Sequence, residues 1–353
     1  MVGGKDVNFP EQWGFLHNQV TPFRVETSDG HSLHAWHILP LEVYRQNEAE
    51  LIDEPSGEVL HIEQRKAFRL LKDDPDALLV LYLHGAAGTL ASGHRPQSYR
   101  AISAMSPSRI HILAIDYRGF GTNGGTPSES GLLIDALALA DFAMSVAGIP
   151  PERTVIFSQS LGTAVALALI RTVAARPDPK FYAGLVMVAP FVSVQKLTAT
   201  YKIAGVIPIL SPLARFPALM NWFAGFIDSK WPSIDVLRDF VRHCEESLDS
   251  VARYRITIVH ARDDWDIPWE HGEELFWAAV ATAEHKFQEN IEVLADHREL
   301  ARQQLGSGGW KVEKKYNKGV LWQYIPEHGL HDWTMGHPVV SMAIWKTFLE
   351  SFD

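Results

Sequence analysis

Short apolar runs without polar interruption recur along this chain, and helical patterns lie between them. The five runs are LLVLYL (Leu78–Leu83), IHILAI (Ile110–Ile115), TVIF (154–157), GLVMV (Gly184–Val188) and ITIV (256–259). Strands that are buried on both faces of a parallel sheet have this pattern. Ala and Leu recur at helical spacing, most clearly over 130–146 and 161–174. This alternation predicts an α/β fold with a mostly parallel central sheet flanked by helices.

The region before the first run has a different pattern. Over 20–39, apolar and polar residues alternate on both sides of Asp29-Gly30, and this turn-forming dipeptide predicts a β-hairpin. Residues 41–75 are charged and irregular, and we expect a surface excursion with a short helix there.

Two later segments interrupt the alternation of strands and helices. Residues 196–250 contain a cluster of large apolar and aromatic side chains broken by prolines. We interpret this segment as a helical cap inserted into a core formed by 1–195 and 251–353. Residues 281–320 are polar and charged, and we interpret them as a helical excursion that follows the strand at 256–259.

Composition and charge narrow the class of protein. Of the 353 residues, 46% are hydrophobic, which is enough for a substantial core, and the formal net charge of -10 disfavours binding to nucleic acid. Cys244 is the single cysteine, which excludes an intrachain disulfide and fits a reducing compartment. A signal-peptide pattern and an apolar stretch of the roughly 18–20 residues needed to span a bilayer are both lacking. We therefore expect a soluble cytoplasmic protein, although a chain without its upstream anchor would have the same pattern. The oligomeric state stays open.

One serine has the local sequence of a nucleophile. Ser160 lies in the pentapeptide SQSLG, directly between the run at 154–157 and the helical pattern that begins at Leu161. A strand, sharp turn and helix form the nucleophile elbow of α/β-hydrolases, where small residues two positions away on each side let strand and helix cross. Gly162 meets this need, whereas Ser158 replaces the usual glycine. Ser160 as a simple helix cap is the alternative.

Three carboxylates are candidates for the acid of a Ser-His-Asp triad. They follow the run at 256–259 in HARDDWDIP, where the usual hydrolase pattern places the acid four residues before the proline. This spacing selects Asp264. Asp263 and Asp266 are the alternatives, and both are otherwise ordinary loop carboxylates.

Three histidines near the C-terminus are candidates for the base. His331 is favoured because it follows Gly329, opens a helical pattern and comes after a strand-like run at 321–325, while His328 and His337 are the alternatives. His328 and His331 lack a third ligand at an obvious spacing, so we predict no metal site. A histidine base also predicts that activity rises with pH near the reference pKa of about 6.5.

A glycine-rich turn, HGAAG, follows the run LLVLYL. Glycine lets the backbone turn so that amide groups point into the site. We expect the oxyanion hole to consist of the amides of Ala86 and of Leu161, the residue after the nucleophile. The alternative is an ordinary strand-to-helix turn without a catalytic role.

Four blocks of this sequence resemble a known family: YLHGAAGT, AIDYRGFGTNGGTPSESGLLIDA, SQSLGTAVA and HARDDWDIP. They are similar to the monoacylglycerol and lysophosphatidylserine lipase branch of the α/β-hydrolase-domain proteins, over about 78–172 and again at the last block. GLHDWTMGHPVV near the end resembles fungal-type soluble relatives of this branch. The chain departs from the family in lacking the membrane-spanning segment of the animal lipases, in having Ser158 for glycine, and in its cap sequence.

Together these features predict a serine hydrolase that cleaves carboxylic esters, either lipid-like or other acyl esters and thioesters, through an acyl-enzyme and without a cofactor. Aromatic cap residues are expected either to bind the acyl group or to pack the cap: Trp222, Phe223, Phe226 and Trp231. Peripheral membrane contact through the cap is a further hypothesis. The alternative functions are a serine peptidase or amidase, a biosynthetic acyl-transfer enzyme, and a non-catalytic binding protein on the same fold.

Overall fold

The computed structural model describes residues 4–200, 230–285 and 298–351. In chain order the strands of this part are β1 Val20–Glu26, β2 Ser32–Ile38, β3 Leu78–Leu83, β4 Ile110–Ile115, β5 Thr154–Gln159, β6 Gly184–Val188, β7 Tyr254–Val259, β8 Gln303–Leu305, β9 Gly309–Lys315 and β10 Gly319–Ile325. They form one sheet in the order β1-β2-β4-β3-β5-β6-β7-β10-β9-β8.

The centre of this sheet is parallel and its two edges are antiparallel. Strands β4, β3, β5, β6, β7 and β10 run in the same direction. At one edge, β1 and β2 form the predicted hairpin, with Val20 opposite Ile38, and β2 pairs antiparallel with β4. The predicted α/β fold with a mostly parallel sheet is therefore confirmed.

Helices lie on both faces of the sheet. They are α1 Leu41–Gln46, α2 Glu48–Asp53, α3 Lys66–Lys72, α4 Arg95–Ser103, α5 Glu129–Ser145, α6 Leu161–Ala174, α7 Val194–Thr200, α8 Ser233–Glu246, α9 Glu270–Ala283, α10 Leu330–Trp333 and α11 Pro338–Ser351, with short 3-10 turns at Pro10–Trp13, Ile62–Gln64, Pro151–Arg153 and Thr334–Gly336. The segment 41–75 thus holds three short helices rather than the one that its irregular sequence predicted. Within the described residues, no helix combines the length and apolarity that crossing a bilayer requires.

Strand β3 shows why the apolar runs lack polar alternation. All six of its residues are fully buried. Leu79, Leu81 and Leu83 belong to the core cluster that includes side chains of α5, α6, α8 and α9. Leu78 and Val80, from the alternate positions, belong to the cluster that includes α4 and α11. Because both faces are covered by helices, each position along the strand needs an apolar side chain.

The described part of segment 281–320 contains two strands and the start of a third, so the predicted helical excursion is wrong over these residues. After α9 ends at Ala283, β9 pairs antiparallel with β10, and β8 pairs with β9 at the sheet edge. Trp310 and Val312 are buried, whereas Glu313 and Lys315 are more exposed. The exposed charged residues belong to the solvent-facing side of β9, which pairs with β10 on one side and with β8 on the other.

The predicted cap at 196–250 is described only at its ends. Helix α8 packs against α6 and α9, and its Leu237, Phe240 and Val241 join the core cluster. Trp231 is also buried in this cluster, which favours core packing for that residue. Trp222, Phe223 and Phe226 lie outside the described residues, so their predicted contact with substrate stays a prediction.

The strand order identifies the edge at which a ligand would bind. Strand β3 lies between β4 and β5, so the chain moves to one side after β3 and returns to the other side for β5. In open α/β sheets, ligands bind at the carboxyl ends of the strands where the order reverses in this way. The turn at 84–88 follows β3 and Ser160 follows β5, so both lie at this point.

Candidate active site

Ser160 occupies a strained turn between β5 and α6. Its φ is 52° and its ψ is −120°, a backbone conformation that is rare for a residue other than glycine. The Ser160 amide donates a hydrogen bond to the Val188 carbonyl oxygen at 3.0 Å, and its carbonyl oxygen accepts from the Thr163 amide at 2.9 Å. The predicted strand, sharp turn and helix around this serine are confirmed.

Small residues on both sides of Ser160 allow the strand and the helix to cross. A Cβ at Gly162 would clash with the Leu83 carbonyl oxygen. Ser158, where a glycine is usual, is fully buried, and its hydroxyl donates to the Val186 carbonyl oxygen of the neighbouring strand at 3.3 Å. The serine is tolerated because it is small and because its hydroxyl has a partner within the sheet.

The buried carboxylate of Asp264 pairs with the imidazole of His331, which is only partly buried. His331 Nδ1 lies 2.8 Å from Asp264 Oδ2, and the two residues are 67 positions apart in the chain. Asp264 Oδ1 accepts hydrogen bonds from the Asp266 and Ile267 amides, each at 2.9 Å. Nε2 of His260, the residue directly after β7, lies 3.3 Å from Asp264 Oδ2. Both oxygens of the carboxylate therefore have polar partners that fix its position.

Each member of this pair shifts the pKa of the other. Burial raises the pKa of Asp264, but the charge of His331 and the hydrogen bonds from His260 and His331 outweigh it, so the pKa lies well below its usual value. Burial lowers the pKa of His331, but the charge and hydrogen bond of Asp264 outweigh it and raise the pKa above 6.5. An ionised Asp264 also favours the His331 tautomer with a proton on Nδ1, which leaves the Nε2 lone pair to accept a proton.

One of the two alternative acids, Asp263, and the alternative bases lie in different surroundings. Asp263 Oδ1 accepts from the Leu330 amide at 2.8 Å, and its other oxygen lies 3.4 Å from Nδ1 of His328. The His328 side chain is 79% exposed. Burial lowers the pKa of His337. The structure thus brings Asp264 together with His331, while Asp263 supports the loop that carries His331.

The loop of His331 is also bonded to the elbow itself. Nε2 of Gln159, the residue before Ser160, donates to the His331 carbonyl oxygen at 3.5 Å and to Asp332 Oδ1 at 3.4 Å. These contacts bring the His331 loop to the residue next to Ser160.

The glycine-rich turn after β3 lies against Ser160. A Cβ at Gly85 would be 3.1 Å from the Ser160 Cβ and would clash with the Gln159 side chain. The Leu161 amide is the first of α6, where amides have no acceptor within the helix. The two expected amide donors, Ala86 and Leu161, therefore belong to the two segments that meet at Ser160.

Three potential metal ligands lie within this site. Donor atoms of Asp264, Asp266 and His331 all lie within 4.8 Å of one another. Both oxygens of Asp264 already accept hydrogen bonds, one of them from His331. A cation at this position would compete with that hydrogen bond, so the Asp–His pair accounts for the cluster.

Three residues of this site are not predicted from the sequence. His260 directly follows the strand before the acid, and its place at the carboxyl edge of the sheet is a usable signal. Gln159 is predicted only as part of the elbow. Arg95, which binds the turn after β3, has no sequence pattern that relates it to Ser160.

Residues 80–338 match the model of the Alpha/beta hydrolase family. The chain belongs to the alpha/beta hydrolase family. It is 27% identical over 286 residues to the lysophosphatidylserine lipase ABHD12 of Danio rerio, covering 80% of this chain and 65% of the relative. It is 31% identical over 225 residues to the same lipase of Bos taurus, covering 63% and 50%. The resemblance to this lipase branch is confirmed, and the chain spans between half and two thirds of the length of these relatives.

Solved structures support the same fold. The Pyrococcus furiosus esterase Pf2001 matches with a TM-score of 0.56 and 13% identity, covering 99% of this chain and 95% of that one. A puromycin hydrolase matches with a TM-score of 0.54 and 12% identity, covering 94% and 39%. At this identity the likeness concerns the fold alone.

Proposed function

We propose that this chain hydrolyses carboxylic esters, with Ser160 as nucleophile, His331 as general base and Asp264 as the acid that orients the histidine. The contact of 2.8 Å between His331 Nδ1 and Asp264 Oδ2 carries this proposal. An ionised, buried carboxylate paired with a partly exposed imidazole, on a loop bonded to the residue before a strained serine, is the arrangement that activates a hydroxyl group. It also favours an enzyme over a non-catalytic binding protein on this fold.

Acylation begins when Ser160 Oγ attacks the ester carbonyl carbon and His331 Nε2 takes the hydroxyl proton. Asp264 stabilises the imidazolium that forms. The negative charge on the carbonyl oxygen is stabilised by the amides of Ala86 and Leu161 and by the N-terminal end of α6. When the tetrahedral intermediate collapses, His331 gives its proton to the departing alkoxide, and the alcohol leaves.

Deacylation repeats these steps with water as the nucleophile. His331 takes a proton from the attacking water, and the same amides stabilise the second tetrahedral intermediate. Its collapse returns the proton from His331 to Ser160 Oγ and releases the carboxylic acid.

Lipid-like acyl esters are the substrate class that we favour. The relatives named above are lysophosphatidylserine lipases. Two exposed tryptophans are close in sequence to the proposed triad: Trp265 follows Asp264 and is 80% exposed, and Trp333 lies two residues after His331 and is 55% exposed. Exposed aromatic side chains on the loops that carry the proposed acid and base suit an apolar acyl chain better than a peptide.

The test of the proposed nucleophile compares two serines of the same elbow. Ser160→Ala should abolish labelling by a fluorophosphonate probe and lower ester turnover on the order of 10⁴-fold or more. Ser158→Ala is the matched control and should retain most of both activities, because the Ser158 hydroxyl donates within the sheet. Near-normal turnover by a folded Ser160→Ala protein would contradict the proposal.

The substrate class is tested with a panel of matched acyl compounds, using Ser160→Ala as the blank. Esters of increasing acyl length, single-chain glycerol and glycerophospholipid esters, thioesters and the corresponding amides should rank with the lipid-like esters first. Faster cleavage of the amides would indicate an amidase or peptidase. Transfer of the acyl group to an added alcohol or amine in preference to water would indicate an acyl-transfer enzyme.

A further inference from the structure

Arg95 is a buried charged side chain beside the site, and the proposed steps do not use it. It lies at the start of α4 and is 6% exposed. Its Nη2 lies 3.0 Å from the carbonyl oxygens of Gly85 and Ala87 and 3.4 Å from that of Ala86, and its Nη1 donates to the carbonyl of Thr89. Burying a guanidinium is unfavourable unless its donors are used, and here the turn after β3 uses them.

A second donor holds the same turn. Nδ1 of His84 lies 2.7 Å from the Gly85 carbonyl oxygen. Because a carbonyl oxygen can only accept, the Nδ1–H of His84 is the donor to Gly85. The Gly85 carbonyl oxygen therefore accepts hydrogen bonds from two buried side chains.

The direction of the Gly85 carbonyl fixes the direction of the Ala86 amide. In a planar trans peptide, the C=O of one residue and the N–H of the next point in opposite directions. The Gly85 carbonyl points toward Arg95 and His84, so the Ala86 N–H points away from both. Gly85 itself lies against Ser160, with a Cβ position 3.1 Å from the Ser160 Cβ.

The turn needs support of this kind because its backbone is strained. Ala87 has a φ of 64° and Gly88 a φ of 70°, and the left-handed region is unfavourable for alanine. The hydrogen bonds of Arg95 lie on both sides of this point, at Gly85 and at Thr89. Without them, Ala87 could relax and carry the Ala86 amide out of place.

We propose that Arg95 is a positioning residue for the oxyanion hole. It holds the carbonyl groups of residues 85–89 so that the Ala86 amide faces the reacting carbonyl. His84 is the second residue that holds this turn. This inference rests on the proposed function, because an oxyanion hole is needed only if Ser160 attacks an ester. Arg95 does not touch the substrate. Its effect is expected on the transition state and not on the bound ester.

The decisive variant is Arg95→Gln, which removes the guanidinium and retains a polar side chain. Loss of one oxyanion-hole donor lowers turnover by about 10²–10³-fold in serine hydrolases. Displacing the donor without removing it should lower turnover by a smaller factor. We therefore expect kcat to fall by about 10–100-fold while KM changes by less than about threefold. Arg95→Lys, which keeps the charge with fewer fixed donors, should be intermediate.

A transition-state analogue separates this effect from a general loss of structure. A trifluoromethyl ketone forms an adduct with the serine that carries the negative oxygen, whereas the product alcohol does not. In Arg95→Gln, the inhibition constant of the ketone should rise by the same factor by which kcat/KM falls, and inhibition by the product alcohol should not change.

Arg118→Gln is the matched control. Arg118 is equally buried and lies in the loop after β4, but its ion pairs are with Asp135 and Asp29. This variant should lose stability without the linked loss of kcat and ketone binding. An Arg95→Gln protein with normal kcat and ketone affinity would overturn the inference, as would the same linked loss in Arg118→Gln. Ester turnover that persists in Ser160→Ala overturns the proposed function, and the inference with it.

A second variant covers the case in which Arg95→Gln does not fold. His84→Gln releases the Gly85 carbonyl oxygen from its other donor and leaves Arg95 in place. It should show the same linked loss of kcat and ketone affinity, smaller than for Arg95. A folded His84→Gln protein in which only KM changes would overturn the inference.

Discussion

At the scale of residues, the proposed chemistry depends on the charge of one buried carboxylate. One oxygen of Asp264 accepts from His331 and lies 3.3 Å from His260 Nε2, and the other accepts from two backbone amides. These contacts keep it ionised, and its charge raises the pKa of His331. The rise of kcat/KM with pH, which is the acid limb of the profile, should therefore have its midpoint above pH 6.5, the reference pKa of histidine.

Asp264→Asn should change both the rate and its dependence on pH. Without the negative charge, the raised pKa of His331 falls, so the acid limb of kcat/KM should move to lower pH. The rate above this limb should fall on the order of 10⁴-fold, because the imidazole loses its preferred tautomer. Profiles of kcat/KM from pH 5 to 9 measure both effects.

Asp263→Asn is the control for this experiment. Asp263 accepts from the Leu330 amide, which an asparagine can also do, and the carboxylates that mainly raise the pKa of His331 are those of Asp264, Asp266 and Asp332. Its profile should keep the wild-type acid limb. If the limb moved in Asp263→Asn and stayed in Asp264→Asn, the assignment of the acid would be wrong.

At the scale of elements, the elbow depends on the close crossing of β5, α6 and the end of β3. Gly162→Ala places a methyl group against the Leu83 carbonyl oxygen, a backbone atom that cannot rotate away. The free energy of unfolding should fall by about 1–3 kcal/mol, and labelling of Ser160 should slow because the elbow shifts. Urea unfolding and probe labelling measure these changes.

Gly124→Ala serves as the comparison for Gly162→Ala. No heavy atom lies within 4 Å of a Cβ at Gly124, and the φ of this glycine is not in the left-handed region. Its stability and labelling should stay close to those of the wild type. A stable, normally labelled Gly162→Ala protein would show that the crossing is looser than the structure indicates.

At the scale of the whole molecule, several buried histidines make stability depend on pH. His37 on β2 and His111 on β4 are fully buried, and their ring nitrogens lie 3.1 Å apart. Burial lowers the pKa of His37 to about 3 and that of His111 well below 6.5. Unfolding exposes both rings, so below pH 6.5 the unfolded chain binds protons that the folded chain does not.

The free energy of unfolding should therefore fall as the pH drops from 6.5 toward 3. Between pH 7 and 5, His37 alone should account for about 2 kcal/mol of this loss. A His37→Leu, His111→Leu double variant should lose correspondingly less stability over that range in urea unfolding, whereas His61→Gln, at an exposed position, should match the wild type. Equal pH dependence in the double variant and the wild type would contradict this account.

The strands other than β8 and β9, the hairpin, the helices over 129–145 and 161–174 and the elbow follow from local patterns. Each of these patterns results from a structural requirement that acts within a few residues: the apolar run of a strand buried on both faces, the turn-forming dipeptide, and the pentapeptide with small residues. The segment 281–320 does not, because charged residues suit both an exposed helix and the solvent-facing side of a strand. Only the pairing of β9 with β10 distinguishes the two.

The candidate site, too, is predicted only in part by local sequence. The residue types and their order along the chain select Ser160, Asp264 and His331 as candidates, since each follows a strand of one parallel sheet. Sequence leaves open which acid meets which histidine, because that contact spans 67 residues and depends on how two loops pack. No local pattern predicts that Arg95 binds the turn after β3. A hydrogen bond between a side chain and the carbonyl group of another segment does not produce a periodic pattern in the sequence. Local sequence specifies which elements form, and long-range packing decides which of their side chains meet.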